Sequence, residues 1–361
     1  MANQKQKVLV GMSGGVDSSV AAALLLKAGY QVEGVTLQFQ DDEVSRASNA
    51  CCSLSAINDA RQVANKLGIP FHVFDFTKVF DQEVIQYFIS EYQAGRTPNP
   101  CVVCNRQVKF AELLNVALDK GFDYIATGHY AKISEKNGRW QLAKASNSSK
   151  DQSYALYSLT QEQLSHCLFP LADFTKDQVR TLAKELELRI ASKPDSQDIC
   201  FVRHHNYAEY IEEQTGHKMA AGDFVDREGR VLGRHRGLYC YTIGQRKGLG
   251  IASSDPYYVL DLDIKKNQVI LGREVELYGA KLIANNLNWI AFTDLKETIS
   301  AKAKIRYGSP ETAVKIEPIA DGKVLVHFEQ AVRALTPGQS IVFYQEDRVI
   351  GGGVIEKTSA K

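Results

Sequence analysis

The sequence has no long apolar run and no excess of charge of either sign. None of its apolar stretches approaches the roughly 18 residues that a membrane-spanning helix needs, and no hydrophobic secretory segment follows the polar start Met1–Lys7. We therefore expect a soluble, cytoplasmic protein. The 43 Lys and Arg residues are balanced by 42 Asp and Glu residues, which gives a net charge of +1. Any polyanion would have to be bound by local basic patches.

Cysteine is scarce and odd in number, with seven residues in a chain of 361. In a reducing compartment such cysteines are expected to be catalytic, metal-binding or buried rather than paired in disulfides. There is no internal repeat or low-complexity segment. The hydrophobic content of 44% and the charged content of 24% are ordinary for a globular protein, and the length predicts two or three domains.

The first part of the chain alternates strand and helix patterns. Strands are predicted at 7–12, 31–38, 71–76 and 122–127, and helices at 18–28, 54–67, 79–94 and 107–119. This alternation predicts an α/β fold with a doubly wound parallel sheet. A glycine-rich region with short strands follows, and strand patterns from about 281 onward predict a small antiparallel β-barrel. The predicted domains are 1–205, 206–280 and 281–361.

The segment Ser13–Ser18, SGGVDS, lies between the first predicted strand and the first predicted helix. Glycines let a backbone approach an anion, and the first N–H groups of a helix point at it. No Lys follows the glycines, so this is not the GxxxxGK[ST] loop of γ-phosphate-transferring ATPases. The hexapeptide resembles the PP-loop of enzymes that split ATP into AMP and pyrophosphate. A glycine turn in an unrelated α/β protein is the alternative.

A second segment, Gly95–Arg106, contains the CxxC pair Cys101 and Cys104 at the predicted start of a helix near Asn105. A helix N-terminus lowers a thiol pKa. A CxxC pair is compatible with a redox pair, half of a zinc site or cluster ligands. Cys200 would complete a set of three, or it is simply buried. Cys167 and Cys240 are predicted to be core residues, and the role of Cys51 and Cys52 is open.

The motifs taken together resemble the tRNA-specific 2-thiouridylase family, which belongs to the PP-loop ATP pyrophosphatases. The resemblance spans nearly the whole chain, in order, through Gly11–Ser19, Gly95–Phe110, Ala126–Tyr130, 150–154, Asp195–Phe201, Gly237–Gly250 and 336–339. It implies a PP-loop catalytic domain similar to the adenine nucleotide hydrolases, a central tRNA-binding domain and a C-terminal β-barrel.

The resemblance also implies a reaction. ATP, with Mg²⁺, would adenylate the C2 oxygen of the wobble uridine in tRNAs for Lys, Glu and Gln, and sulfur would then displace AMP. A uracil oxygen is a poor leaving group until it carries AMP, and a PP-loop stabilises departing pyrophosphate. The base must leave its stack to be reached. The expected sulfur donor is a cysteine desulfurase or a sulfur-carrier protein.

The resemblance assigns roles to individual residues. The ATP contacts would be Gly11, Met12, Ser13, Gly14, Gly15, Val16, Asp17, Ser18, Leu37 and Gly128, and Asp17 would position the metal and the phosphates. The residues facing the target base would be Asn99, Pro100 and Cys101. Cys104 would be the nucleophile and Cys200 the persulfide carrier. The tRNA contacts would be His129, Lys150, Asp151, Gln152, Arg306, Tyr307 and Gln339.

The chain departs from the family at Cys101, where many members carry Asp. Three converging thiolates at Cys101, Cys104 and Cys200 would resemble the site of cluster-dependent tRNA thiolation enzymes, in which three cysteines hold a [4Fe–4S] cluster whose open iron binds sulfide. The alternative is a persulfide relay in which Cys101 takes no part. Two functions of other classes also compete: a PP-loop synthetase for a small molecule, and a tRNA-binding protein with a structural zinc.

Basic residues cluster in two places. Lys302, Lys304 and Arg306 alternate in a predicted strand and therefore share one face. A second group crowds the glycine-rich central region and consists of Arg227, Arg230, Arg234, Arg236, Arg246 and Lys247. Each group is either a track for phosphates or an ordinary solvated surface.

Overall fold

A computed structural model describes residues 5–39, 54–194, 199–202 and 206–358. The chain forms two compact units. The first unit comprises Met1–Ile85, Pro100–Phe201 and Glu346–Ile350, and the second comprises Gln86–Asn99, Val202–Gln345 and Gly351–Lys361. This division differs from the three domains expected from the sequence, whose boundaries stay a prediction.

The first unit contains a five-stranded sheet in the order β3-β2-β1-β4-β7, in which every neighbouring pair is parallel. The strand order reverses between β1 and β4, and in such sheets ligands bind beyond the carboxyl ends of the strands at this point. The strands of this unit, including the hairpin β5–β6, are β1 (Lys7–Gly11), β2 (Gln31–Gln38), β3 (Phe71–Asp75), β4 (Tyr124–Ala126), β5 (Ala131–Lys136), β6 (Arg139–Lys144) and β7 (Cys167–Leu168).

The helices of the two units are α1 (Val16–Lys27), α2 (Leu54–Leu67), α3 (Thr77–Phe80), α4 (Gln86–Gln93), α5 (Pro100–Val103), α6 (Leu113–Asp119), α7 (Ser153–Leu156), α8 (Gln161–Ser165), α9 (Lys176–Glu185) and α10 (Tyr207–Thr215). Segments Asp81–Ile85 and Cys104–Glu112 are π-helical, and Arg189–Ser192, Leu238–Cys240 and Glu274–Leu277 form 3₁₀ turns. No helix in the described part of the chain is long and apolar enough to cross a membrane.

The core of the first unit follows from its sequence pattern. Val8, Leu9 and Val10 are fully buried, as a continuous apolar run in a parallel strand should be. Helix α1 packs on this strand through a small-residue face that includes Val20 and Ala21, both fully buried. This packing fixes the N-terminus of α1 at the carboxyl end of β1.

The second unit contains a four-stranded sheet and a barrel. The sheet has the order β10-β11-β8-β9. The barrel runs β12-β15-β14-β13-β16-β17 and closes through pairing of β12 with β17. Their strands are β8 (Gly222–Val225), β9 (Val231–His235), β10 (Tyr258–Asp263), β11 (Gln268–Gly272), β12 (Tyr278–Trp289), β13 (Ile299–Lys304), β14 (Thr312–Ile319), β15 (Lys323–Arg333), β16 (Ser340–Gln345) and β17 (Arg348–Thr358).

The predicted fold class is confirmed: a doubly wound parallel sheet, a small central fold and a closed antiparallel barrel. The hairpin β5–β6 was not predicted. Its apolar alternation is short, because it is limited to Ala131 and Ile133 in β5 and to Trp140 and Leu142 in β6, and β5 ends in the exposed Glu135 and Lys136. The hairpin pairs instead with Arg348 and Val349, about two hundred residues later in the chain.

Candidate active site

The loop Met12–Gly15 joins β1 to α1 and has the geometry of an anion-binding turn. Gly14 has a φ of +68°, and a Cβ at this position would lie 2.2 Å from the carbonyl oxygen of Ala56, so only glycine fits. Among the described residues, no side chain caps the N-terminus of α1. The first N–H groups of this helix are therefore available to a phosphate.

A cavity of about 220 Å³ lies beside this loop, where the sheet order reverses. Of the ten predicted ATP residues, the ones that line it are Gly11, Met12, Ser13, Asp17, Ser18, Leu37 and Gly128. The other three, Gly14, Gly15 and Val16, form the adjoining turn and the start of α1. The residues that the sequence predicts to bind ATP are thus brought together around one cavity and its phosphate turn.

Gly128 holds the loop after β4 against the start of α1. A Cβ on Gly128 would lie 2.6 Å from the backbone nitrogen of Ser18 and 2.7 Å from the carbonyl carbon of Asp17. These are backbone atoms, so the contact has no flexible side chain that could move away. The close approach requires glycine and places the two loops on either side of the cavity.

Asp17 is engaged on both of its carboxylate oxygens. Lys176 Nζ lies 2.8 Å from each oxygen, and the Tyr130 hydroxyl donates to Oδ1 at 2.7 Å. Lys176 is the first residue of α9, and only 12% of its side chain is exposed. Tyr130, 113 residues from Asp17, is the last residue of the motif Ala126–Tyr130, whereas Lys176, 159 residues away, was not expected from the sequence.

His129, a predicted tRNA contact, lines the same cavity. Its Nδ1 lies 2.7 Å from the hydroxyl of Thr127, and its ring packs near Phe110 and Phe169. Burial, with a contribution from the positive charge of Lys109, lowers the pKa of His129 to about 3. The imidazole is therefore uncharged at neutral pH. Lys109 also lines the cavity and was not singled out from the sequence.

The three residues predicted to bind tRNA at 150–152 have different surroundings. Gln152 lines the cavity, and its side-chain oxygen accepts the N–H of Tyr130 at 2.9 Å. Asp151 is buried and accepts hydrogen bonds from the N–H groups of Ala145 and Ser153 and from the Ser153 hydroxyl. Lys150 is half-buried at the surface. Asp151 thus stabilises the start of α7.

The structure describes five of the seven cysteines. Cys101 is exposed, Cys104 is buried and Cys200 is half-buried. The helix that carries the CxxC pair begins at Pro100 rather than near Asn105, because proline suits the first helical position. Cys167 is buried as predicted, and burial raises the pKa of its thiol. Cys240 is half-buried, and Cys51 and Cys52 lie outside the described residues.

An aromatic row connects the neighbour of Cys200 to the cavity. Phe201 packs edge-on against Phe80 at 5.7 Å, and Phe80 stacks on Phe39 at 4.5 Å. Phe39 lines the cavity. Through Phe201 and Phe80, the chain at Cys200 is therefore linked to a residue of the cavity wall. Residues 195–198 of this segment lie outside the described part.

The predicted tRNA contacts of the second unit include two that form hydrogen bonds inside that unit. Gln339 Nε2 donates to the carbonyls of Thr97 and Pro98 at 2.8 and 3.2 Å. Arg306 donates to the carbonyl of Ala334 at 2.7 Å and to the hydroxyl of Thr336 at 2.8 Å. Tyr307 is 49% exposed. Asn99 is the last residue of Gln86–Asn99, the segment of this unit that also contains Thr97 and Pro98.

A metal would need several ligands in one place. Within residues 5–39, 54–194, 199–202 and 206–358, no three His, Cys, Asp or Glu side chains are grouped so that they could hold a metal ion. Cys101, Cys104 and Cys200 are therefore not arranged as a cluster site in this structure.

The fold and the cavity define the class of this protein: an α/β nucleotide-binding protein with a phosphate turn after its first strand. Family profiles agree along the chain. Residues 6–204 match the tRNA methyl transferase HUP domain, residues 208–273 the tRNA methyl transferase PRC-barrel domain, and residues 279–355 the aminomethyltransferase beta-barrel domain.

Curated relatives identify the family. The tRNA-specific 2-thiouridylase MnmA of Acetivibrio thermocellus is 55% identical over 98% of this chain and 99% of its own. The tRNA-specific 2-thiouridylase MnmA 2 of Caldanaerobacter subterraneus subsp. tengcongensis is 52% identical over 98% of this chain and 99% of its own. The chain belongs to the tRNA-specific 2-thiouridylase family.

Proposed function

We propose that this protein uses ATP to replace the C2 oxygen of the wobble uridine of tRNA with sulfur. The observation that carries the proposal is the cavity beside the uncapped N-terminus of α1, lined by seven of the residues expected to bind ATP. The names of the relatives supply the substrate and the product. The resemblance adds tRNAs for Lys, Glu and Gln, and the tRNA substrate supports a cytoplasmic location.

In the first step, the C2 oxygen of the uracil attacks the α-phosphorus of ATP. The new bond joins that oxygen to the α-phosphorus, the bond between the α-phosphorus and the bridging oxygen breaks, and pyrophosphate leaves. The N–H groups at the start of α1 would stabilise the charge on the departing pyrophosphate. Lys176 neutralises Asp17 beside this site, so that the carboxylate does not repel the phosphates.

In the second step, sulfur displaces AMP from C2. The terminal sulfur of a persulfide on Cys200 would attack C2, and the bond between C2 and the adenylated oxygen would break. The Cys104 thiolate would then attack the Cys200 sulfur, which forms a disulfide and leaves the thiocarbonyl on the tRNA. The persulfide would come from a cysteine desulfurase or a sulfur-carrier protein, and a thiol reductant would restore the cysteines.

No group of three His, Cys, Asp or Glu side chains that could hold a metal is found in the described ranges, so the structure gives no support for a [4Fe–4S] cluster on Cys101, Cys104 and Cys200. The persulfide route therefore has the better support. Changing Cys101 to Asp tests this choice. Full thiolation by iron-free Cys101→Asp protein is the expected result, whereas loss of thiolation together with loss of bound iron and sulfide would favour the cluster.

Mg²⁺ would accompany ATP. The carboxylate of Asp17 is the metal ligand expected from the sequence, but both of its oxygens contact Lys176 here. A metal bound directly to Asp17 would share these oxygens with the positive charge of Lys176, which disfavours that bond. The phosphate oxygens of ATP would then be the main ligands of Mg²⁺, as is common for this ion.

Pyrophosphate release, measured with and without tRNA, tests the proposal against the alternatives. The proposal predicts release that depends on tRNA containing an unmodified wobble uridine. Release that is indifferent to tRNA would favour a PP-loop synthetase for a small molecule. Binding of tRNA with no pyrophosphate release under any condition would favour a tRNA-binding protein with a structural zinc.

A further inference from the structure

The basic residues of the central region fall into two groups in the structure. Three of them are bound to nearby carboxylates. Arg227 pairs with Glu276 at 3.0 Å, Arg230 with Asp226 at 2.6 Å, and Arg234 with Asp223 at 3.3 Å. These arginines are satisfied within their own unit, and each would have to give up a partner, at least in part, to bind a phosphate.

Arg246 and Lys247 are different. Both are exposed, and neither has an ion-pair partner among the described residues. Arg236 is intermediate between the groups, because it interacts electrostatically with Tyr207 and Cys240. Within the described ranges, no ion-paired carboxylate offsets the positive potential of these two adjacent cations, so they attract an external anion more strongly than paired arginines do.

The turn that carries this pair is held rigidly. Gln245 closes it on both sides: its side-chain oxygen accepts the N–H of Thr242 at 3.0 Å, and its amide donates to the carbonyl of Lys247 at 3.0 Å. The backbone of Gly244 and Gln245 bonds to Val259 on both sides, at 2.8 and 3.0 Å. Leu249 is buried in the core of the four-stranded sheet.

Gly248 gives the turn its shape, since it has a φ of +79° that other residues rarely adopt. A cavity of about 360 Å³ lies beside it and is lined by Arg246, Gly248 and Tyr257. The guanidinium of Arg273 covers the ring of Tyr257 at 4.2 Å and donates to the Asp255 carbonyl. Asp255 also lines this cavity, and because its negative charge repels an anion, we expect the anion at the exposed Arg246 and Lys247.

We infer that Arg246 and Lys247 form a phosphate-binding turn for the backbone of tRNA, and that Arg227, Arg230 and Arg234 do not contribute phosphate contacts. This inference rests on the proposed function for the identity of the polyanion. Because the turn is already ordered, its backbone loses little conformational entropy when a phosphate binds. More of the electrostatic attraction is therefore retained as binding free energy.

Two matched double variants test the inference. Arg246→Gln with Lys247→Gln, and Arg230→Gln with Arg234→Gln, each remove two positive charges from the same region. Binding of fluorescently labelled tRNA would be measured by anisotropy over a series of salt concentrations. For the first variant we expect about tenfold weaker binding at about 0.1 M salt, and a slope of log affinity against log salt that is smaller by about one to two. The second variant should keep the wild-type slope.

Equal slopes in the wild type and the Arg246–Lys247 variant would overturn the inference, as would an equal loss in both variants. Thermal unfolding of each variant shows whether it is folded, and Lys247→Gln alone, with an expected slope change of about one, replaces the double variant if it is not. If wild-type protein fails to bind tRNA, the proposed function fails as well. If tRNA binding is unchanged but thiolation from a protein sulfur donor is lost, and inorganic sulfide restores it, the pair binds an acidic protein and the inference is wrong.

Discussion

The loop after β1 and the loop Thr336–Gln339 of the barrel were both recognised from short motifs, but their side chains do different things. In the first loop, the motif residues surround a cavity and a free helix N-terminus. In the second, Gln339 is bonded to the carbonyls of Thr97 and Pro98, and Thr336 accepts a hydrogen bond from Arg306. A motif alone therefore does not say whether each of its side chains meets a ligand or holds its neighbours.

The largest expected effect is at Lys176, which contacts Asp17 next to the first loop. Lys176→Met leaves the Asp17 carboxylate uncompensated at the phosphate site. We expect tRNA-dependent pyrophosphate release to fall on the order of a hundredfold, the usual cost of removing one stabilising group at a site of developing charge. Steady-state pyrophosphate assays provide the measurement.

Lys66→Met is the matched control, because Lys66 forms an exposed ion pair with Glu187. A second comparison separates folding from activity: adding Asp17→Asn to Lys176→Met should restore thermal stability without restoring activity. Equal activity of Lys176→Met and Lys66→Met would show that the ion pair to Asp17 has no part in ATP use.

The next effect is the pH dependence that His129 gives to the free energy of unfolding. The pKa is about 3 in the folded protein against an ordinary value of 6.5. Between these values the unfolded chain binds a proton that the folded chain does not. The free energy of unfolding therefore falls as pH decreases from about 6.5 toward 3, by up to about 1.4 kcal/mol per pH unit, and the full contribution is present above pH 6.5.

Urea unfolding of wild type and His129→Asn from pH 7 to pH 4 measures this contribution. The stability of the wild type should fall more steeply than that of the variant, which carries no titrating group at this position. Parallel pH profiles for the two proteins would mean that His129 is not held neutral by its surroundings.

A smaller effect is expected at Gly128. Gly128→Ala inserts a Cβ 2.6 Å from a backbone atom of α1, and such overpacking costs about 1–3 kcal/mol. Gly11→Ala is the control, since its Cβ would meet nothing closer than 3.7 Å. Urea unfolding of both variants checks the difference. A Gly128→Ala protein as stable as Gly11→Ala would show that the two loops can separate at no cost.

The smallest effect is expected in the second loop. Gln339→Ala removes two hydrogen bonds to the segment Thr97–Pro98, which we expect to lower the free energy of unfolding by about 1 kcal/mol. Hydrogen exchange of the Thr97 amide, which donates to the Pro337 carbonyl, should become faster. Lys281→Ala, at an exposed position, should change neither quantity. Unchanged exchange in Gln339→Ala would favour a side chain that is available to tRNA.

Much of the local structure could be predicted from the sequence, although the hairpin β5–β6 was missed. The β1–α1 turn, the parallel sheet and the barrel follow from apolar periodicity and from one contiguous hexapeptide. The contact of Lys176 with Asp17 could not be predicted, because it joins residues 159 positions apart. Nor could the difference between Arg230 and Arg246, because it depends on which carboxylate a turn brings within reach.

The central claim is that ATP activates the C2 oxygen of the wobble uridine. The direct measurement uses tRNA that carries oxygen-18 at C2 of that uridine, with wild-type protein, ATP and a sulfur donor, followed by mass spectrometry of the nucleotide products. The account predicts that the heavy oxygen leaves with AMP, in equal amount to the 2-thiouridine formed. Thiolation accompanied by unlabelled AMP would contradict the account.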